Sequence, residues 1–184
     1  AEWRAWLAAN HASSPGVWLV QWRTPTGRRR LEYDEAVEEA LCFGGIDSLA
    51  KRLDGERSMI TMTPRTPTSG WSRSNKERLE RLTPAGLMTP AGLRTVEVAK
   101  ANGAWELLDD VDALVVPPDL TAALAKHDAA AAGFAAMTPS AKKAILFALK
   151  TAKKPETRAR RIAAAVADAG DVGRRRRPGS PSAT

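Results

Sequence analysis

The chain has 184 residues, 43% of them apolar and 27% charged, which is enough for one substantial core or two small ones and argues against global disorder. A single cysteine excludes an intramolecular disulfide, and with only two histidines no Cys/His spacing makes a zinc site, so neither a metal nor another cofactor is expected. The net charge of +7 is uneven: −2 over residues 1–50, +5 over 51–94, −4 over 95–116, +5 over 117–170 and +3 over 171–184. Such basic blocks put polyanions among the partners to weigh. No apolar run approaches the roughly 18–20 residues of a membrane span. The chain opens inside a helical pattern and without Met, so a preceding segment, with any targeting signal, is expected to be missing from it. The default compartment is the cytoplasm.

Trp3, Trp6 and Leu7 recur at helical spacing, so residues 2–9 read as a helix and the N-terminal core as built on indoles. Residues 17–23 (VWLVQWR) read as a strand, which a short strand at 29–32 is expected to join as a hairpin. Asp34 is placed to cap the next helix, whose stripe is Val37, Ala40 and Leu41 and whose stop is Gly44-Gly45. Runs 46–53 and 56–63 flank Asp54-Gly55, a two-residue hairpin signal that calls for positive φ in the turn. A Pro/Thr/Ser loop at 63–69 leads to a helix capped by Ser72 or Ser74, with Lys76, Arg78 and Arg81 on its open face. TPAGL occurs twice, at 83–87 and 89–93, too short a unit for a solenoid; Thr89-Pro90 begins a helix to about Ala101.

Beyond an acidic connector and Pro117-Pro118, helices are expected near 118–127, 139–152 and 155–169, followed by a disordered Arg-rich tail from Asp171. The fold class is α+β: a small twisted antiparallel sheet with packed helices, then an all-helical module. The expected organisation is an α+β domain at 1–102, a connector at 103–116, a helical module at 117–170 and the tail at 171–184.

The stretches EWRAWLAANHASSPGVWLV, LEYDEAVEEALCFGGIDS, TPRTPTSGWSRSNKERLERL, MTPAGL, and VPPDL followed by KKPETRARRIAAAV resemble the YdeI/OmpD-associated family of bacterial proteins over about residues 1–169. The resemblance implies a role in protection against bacteriocins or cationic antimicrobial peptides, and it brings no catalytic mechanism. It also implies that 117–170 corresponds to the family's C-terminal domain. Relatives carry Trp after CFG where this chain has Gly45, so a stacking surface is expected to be lost here. The Arg-rich tail lies outside the shared pattern, and association with a porin is the least transferable part of the description.

Asp47, Arg65, Trp71, Ser72, Asn75 and Lys76 form the candidate ligand-binding set. A loop running into a helix N-terminus offers free N–H groups and a favourable dipole, Arg65 and Lys76 add charge, and Trp71 adds a stacking face for an anionic ligand. The structural alternative is a loop stapled down by Trp71 and capped by serine, with Asp47 paired to Arg65 or Arg57. No catalytic residue is assigned. Cys42 follows a helix, where the dipole disfavours a thiolate, and reads as a buried structural cysteine. The leading function is thus a non-enzymatic binding or interaction protein whose partner is a protein or an anionic small molecule. One alternative is an enzyme with a cleft around Cys42, Asp47 and Arg65; another is nonspecific nucleic-acid binding through the basic helices and tail.

Overall fold

The computed structural model describes residues 2–176. The chain divides into two compact units between Leu107 and Leu108, and the described residues taken together are α+β, with the strands confined to the first unit.

In the first unit, α1 (Glu2–Asn10) and α2 (Tyr33–Cys42) cover one face of a three-stranded antiparallel sheet of β1 (Val17–Trp22), β2 (Gly45–Arg52) and β3 (Arg57–Pro64). The strand order is β1-β3-β2, with Val17 opposite Met62 and Gly45 opposite Pro64. Trp3, Leu7, Ala36, Val37, Ala40, Ile60 and Met62 form the core between helices and sheet. Trp3 and Trp6 stack with centroids 5.3 Å apart, and the Trp3 indole donates to the Ala36 carbonyl at 3.0 Å. The indole core is half of what the sequence suggested, because Trp18 is exposed on the other sheet face beneath Lys51. A second cluster joins Leu41, Cys42 and Trp71 to α3 (Arg73–Leu82) and α4 (Pro90–Asn102).

Several local expectations are corrected. Residues 29–32 make no strand: Arg30 folds back on Glu32 at 2.7 Å, and Glu32 is the cap of α2, joined in a reciprocal capping box with Glu35. β1 finds its partner in β3 instead. Asp34 is therefore not the cap; it lies in the first turn and meets Arg78. The β2–β3 loop does not use left-handed Gly55, which is absent among the positive-φ glycines. The Asp54 carboxylate closes it, accepting the Glu56 and Arg57 N–H groups at 2.9 and 2.7 Å.

The second unit contains α5 (Asp109–Asp112), α6 (Pro118–Leu124), α7 (Asp128–Ala136), α8 (Pro139–Lys150) and α9 (Pro155–Arg176). Its core gathers Val111, Leu120, Leu124, Phe134, Leu146 and Leu149 with the small residues Ala130, Ala165 and Ala169. The alanine-rich α7 is an element the sequence pattern did not separate. The expected disorder from Asp171 is contradicted as far as Arg176, because α9 runs on through residues 171–176. Gly133 of α7 and Gly173 of α9 make that continuation possible by letting the two backbones touch. The tail beyond 176 lies outside the described residues.

Candidate functional site

Residue 65 follows β3 directly, and its position is set by the end of α2. Gly44 takes a left-handed φ of 79°, turning the chain from helix into β2, and its carbonyl accepts the Arg65 N–H at 2.9 Å. The loop 66–70 then bends back on itself: Ser69 N–H donates to the Thr66 carbonyl at 3.0 Å, and Asn102 at the end of α4 donates its amide to the Pro67 carbonyl at 2.8 Å. Trp71 drops into the second cluster, 1% exposed. Ser72 caps α3, its hydroxyl accepting from the Asn75 N–H.

This route leaves the Arg65 guanidinium inside the protein. Arg65 is 8% exposed and lies 3.9 Å above the centre of the Trp71 ring. Nη1 donates to the Gly70 carbonyl at 2.9 Å, which fixes the orientation of the group. Nε and Nη2 are enclosed and have no partner, and the same holds for Nε1 of Trp71. Those two guanidinium atoms form the side edge that binds a carboxylate or phosphate with two parallel hydrogen bonds. Burial lowers the guanidinium to about 10, with Asp47 acting in the opposite sense. The group therefore stays charged at neutral pH.

Asp47, which acts on this cation, belongs to a polar cluster with Tyr33, Asp34 and Arg78. Asp47 of β2 accepts a hydrogen bond from the Tyr33 hydroxyl at 2.8 Å, so its partner is neither Arg65 nor Arg57, which is tied to Asp54. Burial first, then the hydrogen bond to Asp47, raise the Tyr33 phenol to about 12. Arg78 binds Asp34 and donates to Asn75 Oδ1 at 2.9 Å. Arg78 and Asn75 thus link α3 to α2, and Arg78 is not on the open face expected of it.

Of the residues singled out in the sequence, the structure brings Arg65, Trp71, Ser72 and Asn75 together around the 66–70 loop. Trp71 serves as the buried bed for Arg65 and is not an open stacking face. Lys76 lies 5.0 Å from the ring of Trp105, which itself packs 5.2 Å from Trp71. Tyr33, Asp34 and Arg78 were missed, since only the docking of α2 on β2 and α3 brings them together.

Residues 1–95 match the family described as Domain of unknown function (DUF8412). The chain belongs to the DUF8412 family. Residues 113–171 match a second family, described as Bacteriocin-protection, YdeI or OmpD-Associated, which is the resemblance read from the sequence. The N-terminal motifs that resemble that same family thus have a family of their own. No curated protein and no solved structure matches the chain.

Within the DUF8412 unit, Cys42 is 1% exposed, and burial pushes its thiol up, with Arg4 opposing. A nucleophile needs the reverse on both counts, so the cleft reading around Cys42, Asp47 and Arg65 loses its attacking group. Among the described residues no group of three or more His, Cys, Asp or Glu side chains is arranged to hold a metal ion, and no helix is long and apolar enough to cross a membrane. The basic helix α3 is largely ion-paired, Arg73 to Glu77, Arg78 to Asp34 and Arg81 to Glu38, as is Arg158 of α9 with Asp119. Those pairs would compete with a phosphate backbone for the same cations.

The DUF8412 unit also carries an open groove of about 1020 Å³, walled by Trp3, Trp6 and Trp22 and by the α2 carboxylates Glu35, Glu38 and Glu39. Glu39 is held by Arg4 at 2.6 Å and Glu38 by Arg81 at 2.6 Å.

Proposed function

We propose that this is a non-enzymatic, cytoplasmic binding protein whose DUF8412 unit receives an anionic group at Arg65. One observation carries the reading: the side edge of a buried guanidinium and a neighbouring indole N–H have no acceptor. Leaving such donors buried and unsatisfied costs about 1–3 kcal/mol each, and more for a charged group. An anion that accepts from Nε and Nη2 removes that cost for the guanidinium, so binding and stability are coupled. Thermal unfolding with phosphates, nucleotides and small carboxylates tests it, in the wild type and in Arg65→Met. The reading requires at least one anion to raise the melting temperature of the wild type alone; equal shifts in both proteins, or no shift, defeat it.

The YdeI/OmpD-associated unit supports placing this binding activity in protection against bacteriocins or cationic peptides. A second, compatible reading takes the groove as the seat of such a peptide: carboxylates outnumber arginines five to three in its lining, although Glu38 and Glu39 are ion-paired, and its indoles suit the apolar side of a basic amphipathic chain. Tryptophan fluorescence titration with a cationic amphipathic peptide should saturate, and Glu35→Gln with Glu38→Gln should weaken it. Unchanged fluorescence would remove this reading.

A further inference from the structure

The surroundings of Arg65 select among anions, so a ligand more specific than an anion can be assigned there, provided that Arg65 receives an anion as proposed. The charges nearby balance: Asp47 acts on Arg65, while Arg78 and Asp34 pair with each other. A dianionic phosphate would bring excess negative charge next to those carboxylates, and its third and fourth oxygens would need donors beyond the Arg65 edge and one indole N–H. A carboxylate matches the available edge in shape and in charge. Asp47 nearby is half-buried, its Oδ2 taking the Tyr33 hydroxyl, and a carboxylate can accept further donors besides. Along the β2–β3 ladder Asp47 sits opposite Met62 and Gly45 opposite Pro64. Arg65 lies three residues beyond Met62 and one strand over, so its backbone is roughly 11 Å from that of Asp47, at about 3.3 Å per residue and about 4.8 Å between strands.

We propose that the ligand at Arg65 is a small zwitterion of the α-amino-acid type, its carboxylate on Nε and Nη2 of Arg65 and its ammonium on Asp47. Such a molecule is neutral overall, so burying it adds no net charge to a balanced site. The Tyr33 hydroxyl holds Asp47 in place for the ammonium. In the described state the guanidinium edge is enclosed, so the ligand reaches it by displacement of the 66–70 loop. Thr66, Pro67 and Thr68 of that loop are exposed, and the Asn102–Pro67 and Arg65–Gly70 hydrogen bonds tie it down.

Isothermal titration of the full chain with alanine, leucine and phenylalanine tests this directly, alongside N-acetylalanine, alaninamide, acetate and inorganic phosphate. At least one free amino acid should bind, with its N-acetyl and amide analogues weaker by on the order of tenfold or more, since each leaves either Asp47 or the buried Arg65 without its charged partner. Arg65→Met should abolish binding. Asp47→Asn should remove the preference for the free amine over the N-acetyl form. Acetate or N-acetylalanine binding as tightly as alanine would overturn the zwitterion while sparing the anion reading, and so would binding of phosphate alone. Silence from every compound would remove both. The comparison among ligands on the wild type decides the matter even if a variant fails to fold.

Discussion

Arg65→Met isolates the energetic position of the guanidinium when no ligand is bound. The lowering to about 10 corresponds to roughly 3 kcal/mol against the charged form at neutral pH. Opposing it, the stacking on Trp71 contributes about 1–2 kcal/mol. The hydrogen bond to the Gly70 carbonyl contributes about 1.5 kcal/mol. These nearly cancel, and Met restores most of the apolar volume over the indole, so the variant should lie within about 1 kcal/mol of the wild type. A buried arginine that is fully paired behaves differently, its removal costing about 3–5 kcal/mol. Urea unfolding followed by tryptophan fluorescence distinguishes the two. The folded value is depressed, so the penalty is fully present below pH 10 and relieved only as pH rises from there toward the unfolded value. The difference between the proteins should therefore be flat across the neutral range. A loss of about 3 kcal/mol or more would show that Arg65 is already satisfied within the protein and would refute the reasoning.

Tyr33 is the only tyrosine, so phenolate absorbance reads it alone; the midpoint should lie near 12, and Asp47→Asn should bring it down. The raised value means that Tyr33 favours the fold below about pH 10 and that this contribution is lost as pH rises from 10 toward 12. Cys42 should resist a thiol reagent in the native protein and react at once in denaturant. A methyl group at Gly133 would fall 1.8 Å from the Ala169 carbonyl oxygen, so Gly133→Ala must push α7 from α9 and should cost about 3 kcal/mol, seen as earlier melting of the second unit by calorimetry.

Features decided within a few residues were legible in the sequence. The stop at Gly44, the Ser72 cap and the Thr89-Pro90 helix start all rest on local backbone chemistry. Pairing across the chain was not, which is why 29–32 was read as the partner of β1 when the partner is β3, about forty residues on. The two TPAGL segments show the limit within five residues. The second is capped by Thr89, whose hydroxyl also donates to the Cys42 carbonyl at 2.7 Å, and becomes helix; the first follows the end of α3 and becomes turn. α9 outran its expected end because Gly133 and Gly173 are contact points between helices, which local composition does not reveal.

At the site, Arg65, Trp71, Ser72 and Asn75 were found because they crowd one loop and one helix start. What the sequence did not distinguish was their roles: an arginine and a tryptophan six residues apart look alike whether both face a ligand or one lies buried on the other. Tyr33 gave no signal, since its partner Asp47 lies on another element and meets it only after α2 docks on β2.

The most direct test of the Arg65 receptor is the NMR signal of its side-chain Nε–H, identified by its absence in Arg65→Met. The account predicts a resolved, slowly exchanging resonance in the free protein that shifts downfield on addition of an amino acid as a carboxylate oxygen becomes its acceptor. A resonance that stays in place while every candidate ligand is raised to saturating concentration would contradict it.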